Sequence, residues 1–172
     1  KAELLKMGNE IRPPVVAGQF YPAQPEELKG MIKEFYAKTQ IEEIEGEIKA
    51  LIVPHAGYMY SGQVAASAYK QLSDTDFANV IVIAPSHREY FPGVSIFNQR
   101  GYQTPLGLVE INRQMVKKLV QYHPSLQAGW EGHRGEHSLE VQLPFLQLIL
   151  PDFKLVPIVM GDQDWTTCEV LA

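Results

Sequence analysis

The chain has 172 residues, a formal net charge of −5, and a composition that is 45% hydrophobic and 20% charged. This length suffices for one domain with a buried core, and this composition excludes a disordered or fibrous protein. The acidic balance, and the lack of any cluster of Lys and Arg interleaved with aromatic residues, argue against nucleic-acid binding.

The cysteine content and the hydropathy of the chain further narrow the class of protein. Cys168 is the only cysteine, which excludes an internal disulfide and a zinc site built from thiolates. The longest apolar runs fall far short of the roughly 20 residues that span a bilayer, and no apolar stretch of signal-peptide length opens the chain. We therefore expect a cytoplasmic protein that does not bind membranes. Because the chain begins with Lys1 and closes on what reads as an unfinished helix, we expect a single α/β domain over residues 1–172 that is incomplete at its C-terminus.

The first half of the chain is predicted to contain two helices and two buried strands. Residues 10–25 are rich in Pro and Gly and predict an extended arm. Apolar residues at helical spacing predict a helix over 26–38, and small residues on one face predict another over 61–72. The short apolar runs at 50–53 and 79–84 are typical of strands covered on both faces.

The second half continues the alternation of strands and helices. Predicted here are strands at 93–97, 106–111 and 154–160, a helix capped by Asn112 that runs to 122, a loop over 123–137, and a helix over 138–150 kinked at Pro144. Alternating strands and helices predict an α/β fold with a mainly parallel central sheet between helical layers, a three-layer α/β/α arrangement.

Two histidines follow buried strands in the same way. His55 comes directly after a proline that ends the run 50–53, and His87 follows a Pro-Ser pair that ends 79–84. Ligands of open parallel α/β sheets bind outside the carboxyl ends of the strands, so both imidazoles are expected over one crevice. Two imidazoles, a further ligand and open positions describe a non-heme iron or catalytic zinc site. The alternative is that each histidine is an ordinary polar loop residue.

A third histidine lies at a predicted helix start. His137 has Glu140 three residues on, and an imidazole at the positive end of a helix favours its neutral form, which suits a general base. The alternative is that Glu136, His137 and Ser138 only cap the helix. His133 has helical ligand spacing to His137, but the glycines around it indicate a loop.

Polar residues near these histidines complete the set of candidates. Tyr58, Tyr60 and Ser61 follow His55 and are predicted to line the cleft, unless the tyrosines only pack the loop against the core. Asp162 follows the last strand and offers either a carboxylate to the site or a helix cap.

Five segments of the chain carry a family resemblance. "RPPVVAGQFYP", "LIVPHAGYMYSGQVAASAY", "VIVIAPSH", "YQTPLG" and "EHSLEVQLPFLQ" resemble, in order and spacing, the Memo family, also called AmmeMemoRadiSam system protein B. The resemblance covers nearly the whole chain, from about Arg12 to Asp162.

The resemblance implies a fold similar to LigB-type class III extradiol dioxygenases. It implies that His55 and His87 are the metal ligands, that iron or copper is the cofactor, and that His137 takes the position of the acid/base. It also implies a third ligand from a segment downstream of this chain, for which Cys168 is not the counterpart. Radical-SAM and AMMECR-type proteins are the partners that the resemblance implies.

These observations lead to one principal hypothesis and two rivals. The first is a non-heme iron- or copper-dependent redox protein in which His137 and Glu140 transfer protons to a small substrate. The second is a non-catalytic module that binds a peptide or protein in the same cleft. The third is a zinc-dependent hydrolase that uses the same ligands.

Overall fold

The computed structural model describes residues 10–40, 44–150 and 152–172. Residues 1–9, in which we expect no signal peptide, lie outside this part of the chain. The strands of the described residues are β1 (Ile11–Arg12), β2 (Asn79–Pro85), β3 (Val94–Ile96), β4 (Gly101–Thr104), β5 (Gly107–Glu110), β6 (Leu126–Ala128) and β7 (Lys154–Met160). The helices are α1 (Pro25–Lys38), α2 (Tyr58–Tyr69), α3 (Arg113–Tyr122), α4 (Leu143–Ile149) and α5 (Trp165–Leu171).

The strands form two sheets. The larger has the order β2-β7-β3-β6, and the smaller has the order β1-β4-β5. β2 runs parallel to β7 along its whole length, β3 is antiparallel to β7, and β6 is parallel to β3. β7 lies inside the larger sheet, where Leu155, Val156 and Val159 are fully buried. The predicted α/β class is confirmed, because this mixed architecture is compatible with a three-layer α/β/α fold.

Helix ends follow the chemistry expected from the sequence. α1 starts with Pro25 at its first turn and buries Leu28 and Ile32 completely. The Asn112 side chain accepts a hydrogen bond from the Met115 N–H at the start of α3, so the predicted cap is confirmed. None of the helices in the described ranges is long and apolar enough to cross a membrane.

The predicted strand at 50–53 is wrong. This segment is extended, but it pairs with no strand among the described residues, and Ile52 is 100% exposed. Its neighbour in the fold, β2, is also less covered than predicted, since Ile81 and Ile83 are each 50% exposed. A β-branched apolar run favours extended backbone, but a strand forms only where a second chain segment accepts its hydrogen bonds.

The predicted helix over 138–150 is divided differently. A short 3-10 turn at Glu140–Gln142 precedes α4, and Pro144 lies in the first turn of that helix rather than at a kink inside one. Proline lacks an N–H and is tolerated in a first turn, where that N–H has no partner anyway.

The structure also contains a hairpin that was not predicted from the sequence. β4 and β5 pair antiparallel around the turn 104–107, in which Thr104 Oγ1 accepts from the Leu106 N–H at 3.0 Å and Gly107 has a φ of 125°. Only glycine adopts such a backbone readily, which explains why a turn forms there.

Candidate metal centre

His55 and His87 follow the ends of two extended segments that line one groove. His55 follows Pro54, whose carbonyl accepts a hydrogen bond from the Gln142 side chain at 3.2 Å. His87 comes just after β2, where the Ser86 N–H donates to the Met160 carbonyl at 2.9 Å and so extends the pairing with β7. Each imidazole is therefore held by backbone that the rest of the fold fixes.

The structure brings His55, His87 and His137 together. The ring centroids are 5.1 Å apart for His55 and His87, 4.8 Å for His87 and His137, and 6.0 Å for His55 and His137. One ligand nitrogen from each ring lies within 4.8 Å of the other two, which is close enough for all three to hold one metal ion. No carboxylate or thiolate of the described residues belongs to this group.

Glu136, which was predicted from the sequence only as part of a helix cap, is the residue that orients the cluster. Its carboxylate accepts hydrogen bonds from the backbone N–H groups of His87 at 2.6 Å, His137 at 2.8 Å and Ser138 at 2.8 Å. It also lies 3.0 Å from His87 Nδ1. A carboxylate on one imidazole nitrogen leaves the other nitrogen for a metal and fixes the ring orientation.

The electrostatics of Glu136 follow from these contacts. Burial alone would raise the pKa of the Glu136 carboxyl, which is only 2% exposed. The hydrogen bonds from Ser138, His87 and His137 outweigh this effect and lower the pKa to about 2. The carboxylate is therefore ionised throughout the neutral and mildly acidic range.

Two imidazoles of the cluster, those of His55 and His137, favour their neutral forms. Burial lowers the pKa of His55, and the neighbouring His87 lowers it further, against the opposite influence of Glu136. Burial also lowers the pKa of His137, again against the influence of Glu136. His137 Nδ1 is buried and lies 3.1 Å from Glu136 Oε1 without the alignment of a hydrogen bond. Neutral nitrogens are what a metal ion requires of histidine ligands.

Glu140, the predicted partner of His137 in proton transfer, lies in the core. Its fully buried carboxylate forms an ion pair with Arg12 and accepts hydrogen bonds from the N–H groups of Val15 at 2.9 Å and Val16 at 3.1 Å. It also accepts a hydrogen bond from the Tyr21 hydroxyl at 2.5 Å. The structure does not bring this carboxylate into the group of histidines.

Arg12 connects this buried pair to the metal centre. Its guanidinium donates to the carbonyl of His133 at 2.9 Å and to the carbonyl of Glu136 at 2.5 Å, in addition to the Glu140 carboxylate. The Arg12 side chain of β1 thus holds the loop that carries Glu136 and His137 in place through hydrogen bonds to its backbone.

The three residues predicted to bind substrate occupy different environments. Tyr58 is 3% exposed and donates to the Val141 carbonyl at 2.7 Å, so it packs in the core. Tyr60 is 81% exposed, and Ser61 donates to the Ala56 carbonyl at 3.2 Å. Of the three, only Tyr60 lines the cavity next to the histidines.

That cavity has a volume of about 710 Å³ and a mainly apolar lining. His55 and His137 lie in its wall, beside Phe20, Met59 and Tyr60. A larger hollow of about 830 Å³ lies elsewhere and has no histidine in its wall. The smaller cavity therefore combines room for a ligand with two of the candidate metal ligands.

The other polar candidates lie apart from the cluster. Asp162 accepts a hydrogen bond from the Gly93 N–H at 2.8 Å, and Asp164 is the residue that caps α5. His133 is fully buried, with Nδ1 2.6 Å from the Tyr102 hydroxyl, and His123 is exposed. The exposed Cys168 is a free cysteine.

Comparisons with known proteins identify the family. The family described as "Memo-like protein" matches residues 12–172. A MEMO1 family protein of Methanobrevibacter smithii is 38% identical, over 94% of this chain and 61% of that protein. MEMO1 family proteins of Thermoplasma volcanium and Methanosarcina mazei are 39% and 40% identical, over 94% and 92% of this chain and 60% and 57% of theirs. The chain thus spans about three fifths of the length of these relatives, and it belongs to the Memo family.

Proposed function

We propose that this chain carries the metal centre of a redox protein, in which His55, His87 and His137 hold one iron or copper ion. The observation that supports the proposal is the convergence of three imidazole nitrogens within 4.8 Å of one another. The donor set suits the proposal, since neutral imidazole is a good ligand for iron and copper, and within the described ranges the group consists of imidazoles. An iron or copper ion supplies one-electron chemistry when it is bound there.

The chain's own residues have separable roles in this proposal. Glu136 accepts from the His87 ring and from the backbone on both sides of His137, and so holds two of the three ligands in place. The apolar walls of the adjacent cavity, which include Phe20 and Met59, bind the carbon skeleton of a small substrate and exclude water. In this proposal His137 is the third metal ligand. Its alternative role as the acid/base remains a prediction, and the experiment below distinguishes the two roles.

A second candidate function has its own support. Met59 and Tyr60 are 80% and 81% exposed at the mouth of the cavity, and exposed aromatic and methionine side chains suit the recognition of a peptide. In that case the same cleft binds a peptide or protein without catalysis. A radical-SAM or AMMECR-type partner and a cytoplasmic location also remain parts of the proposal.

Metal content tests the proposal. The protein is purified without added metal, loaded separately with Fe²⁺, Cu²⁺ and Zn²⁺, and assayed for bound metal and oxygen uptake. We expect one iron or copper ion to bind per chain. The affinity for this ion should fall by at least about tenfold in each of His55→Ala, His87→Ala and His137→Ala. The matched control is His123→Ala, which removes an exposed histidine outside the cluster and should change nothing.

The outcomes discriminate between the candidates. Bound metal in His137→Ala together with lost oxygen uptake would assign the acid/base role to His137. Preference for Zn²⁺ without oxygen uptake would favour a hydrolase. If none of the three metals binds to the unsubstituted chain, while His55→Ala and His87→Ala remain folded, the proposal is overturned. Peptide binding would then be the function to test.

A further inference from the structure

Arg88 directly follows the candidate metal ligand His87, and its side chain is exposed. The backbone on both sides of Arg88 is fixed to the loop that precedes α4. The His87 N–H donates to the Glu136 carboxylate at 2.6 Å, and the Glu89 carboxylate accepts from the Gly132 N–H at 2.6 Å. Arg88 therefore has a defined position beside the loop that contributes to the metal centre.

The Arg88 side chain packs on this same loop. A Cβ added at Gly135 would lie 3.8 Å from Arg88 Cγ and 4.0 Å from Arg88 Cβ, which is ordinary van der Waals contact. The pKa of His137 is lowered chiefly by burial, and the guanidinium charge of Arg88 contributes to the same effect. The positive charge of Arg88 thus acts directly on one of the three clustered imidazoles.

No carboxylate in the described ranges neutralises this charge. None of the hydrogen bonds or ion pairs of those residues involves the Arg88 side chain. The neighbouring glutamates are engaged elsewhere, Glu89 with the Gly132 N–H, and Glu136 with three backbone N–H groups and the His87 ring. An exposed guanidinium beside a ligand cavity suits an oxyanion, which can accept two parallel N–H bonds from it.

The cavity beside the histidines supplies the other half of a binding site. His137 lies in its wall and is also the imidazole on which the Arg88 charge acts. The rest of the wall includes the apolar Phe20 and Met59, and none of its lining residues is an aspartate, glutamate, lysine or arginine. A ligand that contacts both this wall and Arg88 therefore needs an apolar body and a negatively charged group.

We infer that the ligand of this site carries an oxyanion group, a carboxylate or a phosphate, on an apolar body, and that Arg88 determines this specificity. The inference rests on the proposed function, because it names the substrate class of the same site. The oxyanion pairs with the guanidinium, and the apolar body lies in the cavity. A metal ion held by neutral imidazoles adds positive charge when it is bound and favours the same class of ligand.

Binding of matched small probes provides the first test. Benzoate, phenyl phosphate and the neutral benzamide are titrated into the full 172-residue chain without metal, and backbone amide shifts are followed by NMR. We expect at least one anion to bind at least about tenfold more tightly than benzamide, because charge-assisted hydrogen bonds are roughly twice as strong as neutral ones. The shifts should concentrate at 135–138 and at Phe20, and the tighter anion identifies the oxyanion group.

A substitution of Arg88 provides the second test. In Arg88→Gln the affinity for the anions should fall by at least about tenfold, while the affinity for benzamide stays unchanged. The matched control is Arg134→Gln, which removes the same charge from the neighbouring loop, where the Arg134 guanidinium lies 5.7 Å from the Trp130 ring centroid. This control should keep the preference for anions. Thermal unfolding of both variants shows that each is folded before binding is measured.

Several results would overturn the inference. They are equal affinity for benzamide and both anions, no response to either anion, and a preference for anions that survives in Arg88→Gln. Equal losses in Arg88→Gln and Arg134→Gln would mean that only the overall charge matters, which also overturns it. The proposed function fails separately, because absence of metal binding leaves the metal-free comparison intact, whereas a chain that binds metal without preferring anions contradicts only this inference.

Discussion

Replacing Glu136 by Gln removes one negative charge at the point where two candidate metal ligands are held. The carboxylate accepts from three backbone N–H groups and lies against the His87 ring. Glutamine keeps one acceptor oxygen but presents an NH₂ group, which cannot accept, to some of these donors. The variant should therefore be less stable and hold His87 and His137 less firmly.

The stability loss can be estimated from the carboxylate's pKa. The pKa falls from an ordinary value of 4.5 to about 2 in the folded protein. A shift of that size corresponds to about 3 kcal/mol of stability at pH 7, because each pKa unit is worth about 1.4 kcal/mol. The contribution is complete above the unfolded pKa, and it is lost as the pH falls through the folded pKa.

Urea unfolding of the metal-free protein measures this effect. We expect Glu136→Gln to lower the free energy of unfolding by about 3 kcal/mol at pH 7, and the difference to shrink by about 1.4 kcal/mol per pH unit between about pH 4.5 and 2. Glu169→Gln is the control, since it changes an exposed glutamate and should leave the free energy unchanged.

Metal affinity is the second readout for the same variant. Loss of a carboxylate that orients a histidine ligand typically weakens metal binding by about 10- to 100-fold. A variant with wild-type stability at pH 7 would refute the electrostatic reasoning. Reduced stability with unchanged metal affinity would restrict Glu136 to a structural role.

Three further predictions concern residues outside the cluster. Burial lowers the pKa of His133 to about 3, so its contribution to stability is complete above about pH 6.5 and falls by about 1.4 kcal/mol per pH unit below it; His133→Gln should remove this slope from a urea-unfolding series. Glu140→Gln should cost about 3–5 kcal/mol in unfolding free energy because it leaves the buried Arg12 unpaired, and a loss of metal affinity at normal stability would instead support a direct role of Glu140 at the metal centre. Gly161→Ala should cost about 1–3 kcal/mol by thermal unfolding, because the added Cβ would lie 2.0 Å from the Phe91 carbonyl oxygen, and an unchanged melting temperature would contradict this.

The sequence predicted the histidine cluster because its signal is local. An apolar run followed by proline and histidine occurs twice, and ligands of open α/β sheets bind outside the carboxyl ends of such runs. The third histidine, His137, was predicted from its position at a helix start, as a general base rather than as a metal ligand. None of these inferences needed knowledge of a distant contact.

Glu136 could not be found in this way. Its partners are mostly backbone N–H groups, which nearly every residue offers. The only sequence signal for its role is its position next to His137. Arg12 was equally hidden, although it opens the first family segment, because its contacts with the loop at 133–140 join distant parts of the chain. The prediction of a strand at 50–53 was wrong for a related reason, because a strand forms only where a second chain segment pairs with it.

The two glutamates illustrate why spacing alone misassigned a role. Glu136 and Glu140 are four residues apart, yet a turn lies between them, so one carboxylate faces the histidines and the other faces the core. Arg12 bonds to the Glu140 carboxylate and to the Glu136 carbonyl, which fixes the backbone on which Glu136 and His137 are placed. A buried ion pair of this kind is a weak source of net stability but a strong constraint on geometry. The metal centre is therefore positioned by a charge pair that need not touch the ion, and the N-terminal arm is as much a part of the site as the strand ends.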